Sequence, residues 1–164
     1  MTAYDVSEWT DFFVAGASAS AALTGLVFVA VSINVDRILG FEGLPERALA
    51  TVMLLLSVVL VSLIGLIPGQ SRAALGGELV GVGMVFAVVI LGLTSRSMAG
   101  RNQQRVQTFG NWLLVGLGTV PVLLGAVSLF AEAGGGLYWV AAGIVLATTG
   151  GVANAWVLLV EILR

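Results

Sequence analysis

Cysteine, histidine and lysine are all missing from this chain of 164 residues. Disulfides, thiolate and imidazole metal sites, cysteine or lysine nucleophiles and histidine acid–base chemistry are excluded with them. Charge is scarce too. Seven arginines and nine acids amount to 10% of the residues, against 59% hydrophobic, with a mean hydropathy of +1.07. Soluble domains are about half apolar and about a quarter charged, so this composition belongs to a polytopic membrane protein. The net charge of −2 is small and its residues scattered, which argues against a nucleic-acid surface. Catalysis would have to rest on carboxylates, hydroxyls and arginine, and no paired-acid or metal-ligand spacing is present. No enzyme, cofactor or metal site is expected. The N-terminus carries Asp5, Glu8 and Asp11 where a secretory signal needs positive charge, so it is not read as one. Neither end shows an acylation or retention motif.

What is there is a series of long uncharged runs. The first lies between Asp11 and Asp36 and is long enough to cross a hydrocarbon core of about 30 Å at about 1.5 Å per residue. Its first half is mostly Gly, Ala, Ser and Thr, and its second half, LVFVAVSI, is bulky. Five spans are expected, at about 12–35, 48–67, 75–94, 111–131 and 137–163, forming a single all-α transmembrane bundle over residues 1–164. Trp9, Phe12 and Phe13 suit an interfacial anchor, as do Tyr138 and Trp139. Gly40, Gly43 and Pro45 break the chain after the first span, with Pro45 placed for the first turn of the second. Pro68-Gly69 stops the second span, residues 70–76 read as a tight turn, and Gly134-Gly135-Gly136 precedes the last span. The second span, thoroughly apolar, reads as the most lipid-facing. Pro121 falls within the fourth, where it is expected to kink the helix. With the N-terminus outside and the C-terminus inside, Arg37, Arg47, Arg96, Arg101, Arg105 and Arg164 fall on the inner side and only Arg72 outside, as the positive-inside rule favours.

Three sets of residues are candidates for function. On the first span, Gly16, Ser20, Thr24, Phe28 and Ser32 recur at every fourth position, flanked by Ala17, Ala21 and Gly25. Such a face suits close helix packing, and equally a pore lining whose hydroxyls meet a solute and whose Phe28 forms a constriction. On the last span, Gly143, Ala147, Gly151 and Ala155 form a second small stripe, with Asn154 the polar group most in need of a partner there. Asn154 would bond a neighbouring helix or bind a ligand. The first and last spans are expected to meet along these faces. Gly77 and Gly81 on the third span have the spacing of a further close approach.

The third set is charged. Asp36, Arg37, Glu46 and Arg47 read as an ion-pair cluster closing the first hairpin, or as a docking point for a cytoplasmic partner. Arg96, Arg101 and Arg105 read as anchors to anionic headgroups, or as a partner site. Glu78 is expected to pair with Arg72. No ionisable group is expected at membrane depth, which argues against a proton relay.

The run from Ala21 to Leu26, AALTGL, continued by Phe28 to Asn34, FVAVSIN, resembles the first span of a group of small uncharacterised bacterial multipass integral membrane proteins. Trp9-x-Asp11-Phe12-Phe13, Leu44-Pro45-x-Arg47-Ala48 and Ile67-Pro68-Gly69-Gln70-Ser71 are similar as well. The resemblance implies a bacterial cytoplasmic membrane and brings no activity with it. The expected function is therefore that of a non-catalytic membrane protein, self-associating or an accessory subunit of a membrane complex. The alternative is a homo-oligomeric channel lined by the first helix.

Overall fold

The computed structural model describes residues 2–98 and 105–163, with side chains placed for 3–96, 116 and 118–160. It is all-α. Two 3₁₀ turns, Thr2–Tyr4 and Val6–Trp9, lead into α1 (Thr10–Ile33), α2 (Val35–Leu39), α3 (Leu44–Gly65), α4 (Arg72–Met98), α5 (Arg105–Ala131) and α6 (Leu137–Leu163). Among the described residues, four helical stretches are long and apolar enough to cross a membrane: Val6–Ile33, Leu44–Gly65, Arg72–Arg96 and Leu137–Val160. The apolar part of α5 described with side chains, Gly118–Ala131, is shorter. The chain is a multipass helical membrane protein.

Local chemistry accounts for the breaks. Asn34 ends α1, its amide donating to Ala30 O at 2.9 Å, and the expected loop contains the short α2 instead of irregular chain. Gly43 takes φ +78°, which leaves Pro45 in the first turn of α3. After Gly69, Ser71 Oγ accepts from Ala74 N at 3.2 Å and starts α4 at Arg72. The segment 72–76, expected as a tight turn, is thus helical, because a serine cap opens the helix as soon as Pro68-Gly69 has ended the previous one. α4 runs past its expected end to Met98, and α5 continues through Pro121.

The packing has one helix at its centre. α3 touches α1, α4 and α6; α4 packs on α5 and α5 on α6, so that α3–α6 close a four-helix ring with α1 outside it. Contacts pair residue 65 with 13 and 62 with 16, which makes α1 antiparallel to α3. Contacts of 16 with 144 and 20 with 148 make it parallel to α6. In α3, 56% of the most apolar stretch is buried, against 6% in that of Val6–Ile33. The second span is therefore the core helix, not the lipid-facing one. In a bilayer bulky apolar side chains suit lipid and core alike, so hydropathy does not separate the two.

What makes α3 central is that its large side chains enter holes left by glycines elsewhere. A Cβ on Gly151 would fall 2.5 Å from Leu55 Cδ2, and one on Gly118 would fall 3.1 Å from Leu54 Cδ1. Leu55 is fully buried in consequence. The relation is reversed at Gly65, where the Phe13 ring covers the glycine at 2.7 Å from the Cβ position. On α4 the glycines in close contact are Gly76, beneath Ala126 O and Phe130, and Gly83, beneath Leu123. Gly81 has nothing within 4 Å of its Cβ position, and Gly77 reaches only Phe130 at 3.8 Å. The expected close approach thus falls on the neighbouring face of the same helix.

Candidate functional site

Consider α1 first. A step of four residues advances about 400° around a helix of about 100° per residue, so a stripe at every fourth position winds by about 40° per step. Gly16 and Ser20 accordingly face the bundle, Thr24 lies at its edge, and Phe28 and Ser32 point away from it. Ser20 is fully buried and its hydroxyl meets that of Thr148 on α6 at 3.2 Å. Thr148 donates its own proton to Ile144 O, so Ser20 is the donor to Thr148. Thr24 and Ser32 return their hydroxyls to Ser20 O and Phe28 O, at 2.7 and 2.8 Å. Ala17 is half-buried beside Gly16, while Ala21 and Gly25 are exposed and Gly25 has no atom within 4 Å of its Cβ position. The eight candidate residues of α1 divide between two faces, because their spacing is not that of one.

The α6 stripe also separates. Val122 Cγ2 lies 2.5 Å from the Cβ position of Gly143, Ala147 packs on Gly118, and Gly151 receives Leu55. Its close partners are α5 and α3. The expected meeting of first and last helices is reduced to Gly16 against Ile144, Ser20 against Thr148 and a more open stretch beyond. Ala155 borders that stretch.

Asn154 joins a buried circuit that includes a charge. Arg47 Nε donates to Asn154 Oδ1 at 3.0 Å, Asn154 Nδ2 donates to Thr51 Oγ1 at 2.6 Å, and Thr51 Oγ1 donates to Arg47 O at 2.9 Å. Both Arg47 and Thr51 are buried. Arg47 is thus an internal group of the α3–α6 contact and no part of an exposed docking surface. Its place in the first turn of α3 keeps this charge at a helix end, and burial there separates it from the exposed Asp36 and Arg37. The signal of that burial in the sequence was present but unread: Arg47 and Thr51 are four apart, so they share a helical face. Asp36, Arg37 and Arg96 are exposed, and Glu46 is half-buried with Oε2 covered and unpartnered among the described residues. Arg101 lies outside the described residues, as does the side chain of Arg105.

At the other end of the bundle the ion pairing also differs from expectation. Arg72 Nη1 lies 3.5 Å from Glu132 Oε1, while Glu78 accepts from Gln70 Nε2 at 2.6 Å. Trp9 packs edge-on against Tyr138 with ring centroids 4.9 Å apart, and Gly135 N donates to Tyr4 Oη at 3.1 Å. These contacts tie the N-terminal turns to the start of α6. Among the described residues no three acidic side chains converge as a metal site would require.

Compared with known proteins, the chain matches no family model, no curated protein and no solved structure. The geometry alone therefore carries the functional reading.

Proposed function

We propose that this chain is a non-catalytic protein of a bacterial cytoplasmic membrane that acts by association, with copies of itself or as an accessory subunit of a membrane complex. In this reading it is one bundle of five spans, with the N-terminus outside and the C-terminus inside. The observation that carries it is the position of α1. This helix is held to the ring by one face, and its other face presents Ala21, Gly25 and Phe28, all exposed among the described residues. Small residues give a bilayer little to gain but let another helix approach closely. The same geometry gives the channel reading less support: Ser20 is committed to α6, and Phe28, about 80° further around α1, is exposed outside the bundle.

Native mass in lipid nanodiscs tests the proposal. A defined multimer, or a stoichiometric second protein, is the expected result, and Gly25→Leu is expected to disperse it. A lone monomer at every protein concentration overturns the reading. The absence of native cysteine makes topology separately measurable. Ser7→Cys is expected to label from outside intact cells and Ser95→Cys only after permeabilisation.

A further inference from the structure

We propose that the cavity between the N-terminal turns and the α3–α4 connection binds a zwitterion in which a primary ammonium stands beside a phosphate, as in phosphoethanolamine. The cavity holds about 520 Å³, within the range of about 300–1,000 Å³ typical of small-molecule sites. Asp5, Ser7 and Thr10 line one side of it, and the segment from Gly65 to Gln70 with Arg72 lines the other. Charges of both signs thus border one space, yet no ion pair joins them. Asp5 Oδ1 takes both bonds from Ser7, at 2.7 and 3.1 Å, and Oδ2 accepts none among the described residues. Those bonds, with a smaller pull from Arg72, hold the carboxyl below its ordinary value and keep it ionised at neutral pH. Arg72 lies 3.5 Å from Glu132, beyond ordinary hydrogen-bond length, and its guanidinium donates no hydrogen bond among the described residues.

A third group selects the ammonium. Gln70 Nε2 donates to Glu78 Oε2 at 2.6 Å, and because a carboxylate only accepts, this bond fixes which end of the amide is oxygen. That oxygen, Oε1, is covered and has no partner among the described residues, on a side chain that borders the cavity. A covered acceptor without a donor is costly, and an N–H entering from the cavity satisfies it. A primary ammonium brings three such donors, enough for Gln70 Oε1 and the free oxygen of Asp5 together. The planar guanidinium of Arg72 is matched instead to the oxygens of a phosphate. A quaternary ammonium carries the same charge but no N–H, and so leaves Gln70 unsatisfied. The cavity adjoins the turn that ends at Trp9, whose ring packs on Tyr138, an aromatic pair of the kind found where membrane meets water. A phosphatidylethanolamine headgroup and a dissolved phosphoethanolamine can both present the recognised chemistry there.

Two measurements on the full chain separate the sources. Phosphoethanolamine is titrated calorimetrically into the protein in dioleoyl phosphatidylcholine nanodiscs. Retained lipid is then read by native mass spectrometry after release from nanodiscs of equal dioleoyl phosphatidylethanolamine and dioleoyl phosphatidylcholine. A saturable heat with one site per chain, or at least tenfold preference for phosphatidylethanolamine, is the expected result; the first assigns the solute and the second the lipid. Asp5→Asn keeps the acceptor for Ser7 but loses the charge, and Arg72→Gln loses the partner of the phosphate. Each is expected to lower the affinity or the preference at least fivefold, while Arg37→Gln, at an exposed α2 position, leaves both unchanged. The proposal is overturned by neither signal in the parent chain, by equal signals in all four proteins, or by ethanolamine or inorganic phosphate alone binding as well as phosphoethanolamine. Asp5 and Arg72 are both exposed, so the variants are expected to fold; should one fail by melting temperature, the other decides.

Discussion

Arg47 and Asn154 hold each other, 107 positions apart in the chain, through a 3.0 Å hydrogen bond from Nε to Oδ1. Thr51 completes a ring of donors and acceptors, accepting from the amide and donating back to the Arg47 carbonyl. The arrangement fixes which way the amide points, because only its oxygen can accept from a guanidinium. It also joins α3 to α6 beside the open stretch between α1 and α6 that Ala155 borders. Asn154→Leu would leave a buried guanidinium short of an acceptor and is expected to cost about 2–4 kcal/mol. Thr51→Val removes a neutral partner and is expected to cost about 1 kcal/mol. Asn154→Asp, which keeps an acceptor on the same atom, should retain most of the stability. Thermal unfolding in detergent, followed by circular dichroism, orders the three variants.

Two glycines on different helices predict opposite responses to one substitution. Gly151 is filled by Leu55, whose Cδ2 lies 2.5 Å from the Cβ position, so Gly151→Leu must displace a buried leucine. Overpacking of this kind costs about 1–3 kcal/mol. Gly25 has nothing within 4 Å, and Gly25→Leu is expected to leave the fold of the single chain intact while disrupting its assembly. The paired measurement is melting temperature against native mass: Gly151→Leu should move the first, Gly25→Leu the second.

The contrast also shows what sequence can and cannot convey in a membrane protein. The breaks were readable where Pro45, Pro68 and the Gly134–Gly136 run interrupt otherwise uncharged chain, and α6 spans the expected 137–163, whereas α4 and α5 begin at Arg72 and Arg105, before the expected 75 and 111. The choice of neighbours was not. A small residue marks a hole, but the side chain that fills it comes from a helix whose apolar composition looks the same whether lipid or protein surrounds it. Gly143 and Gly151 were legible as holes; Val122 and Leu55 were not legible as the residues that enter them. The α1 stripe misled for another reason, since a period of four departs from about 3.6 residues per turn, and over four steps Ser32 is carried to the far side from Gly16.

Ser62 carries a polar atom with no evident compensation. It is fully buried on α3, facing Gly16 across the α1 contact, and its hydroxyl has no hydrogen-bond partner among the described residues. A covered hydroxyl without a partner costs about 1–3 kcal/mol relative to water. Ser62→Ala is therefore expected to be neutral or to raise stability by up to about 1 kcal/mol, although it removes a side-chain oxygen from a tight interface. A lower melting temperature for this variant would mean that the hydroxyl has a partner in the membrane, and crystallographic water at the α1–α3 contact would be the place to look.

The N-terminal turn gives a prediction in pH. Asp5 Oδ1 accepts from the Ser7 hydroxyl at 2.7 Å and from Ser7 N at 3.1 Å, and these two bonds hold its carboxyl below the ordinary value of 3.8. Because the folded-state value is the lower one, the contribution of the ionised cap is complete above the ordinary value and is lost as pH falls through the lowered one. The turn it holds ends at Trp9, whose ring lies against Tyr138, so the loss should be visible in tryptophan emission before the bundle melts. In Asp5→Asn the amide oxygen can still accept from Ser7 but does not titrate, so the acid transition in Trp9 emission should vanish while docking at neutral pH persists. Asp5→Ala should loosen the turn at every pH. With Trp112, Trp139 and Trp156 replaced by phenylalanine, the emission of Trp9 alone reports the result. An acid transition that survives in Asp5→Asn would assign the titration to another group.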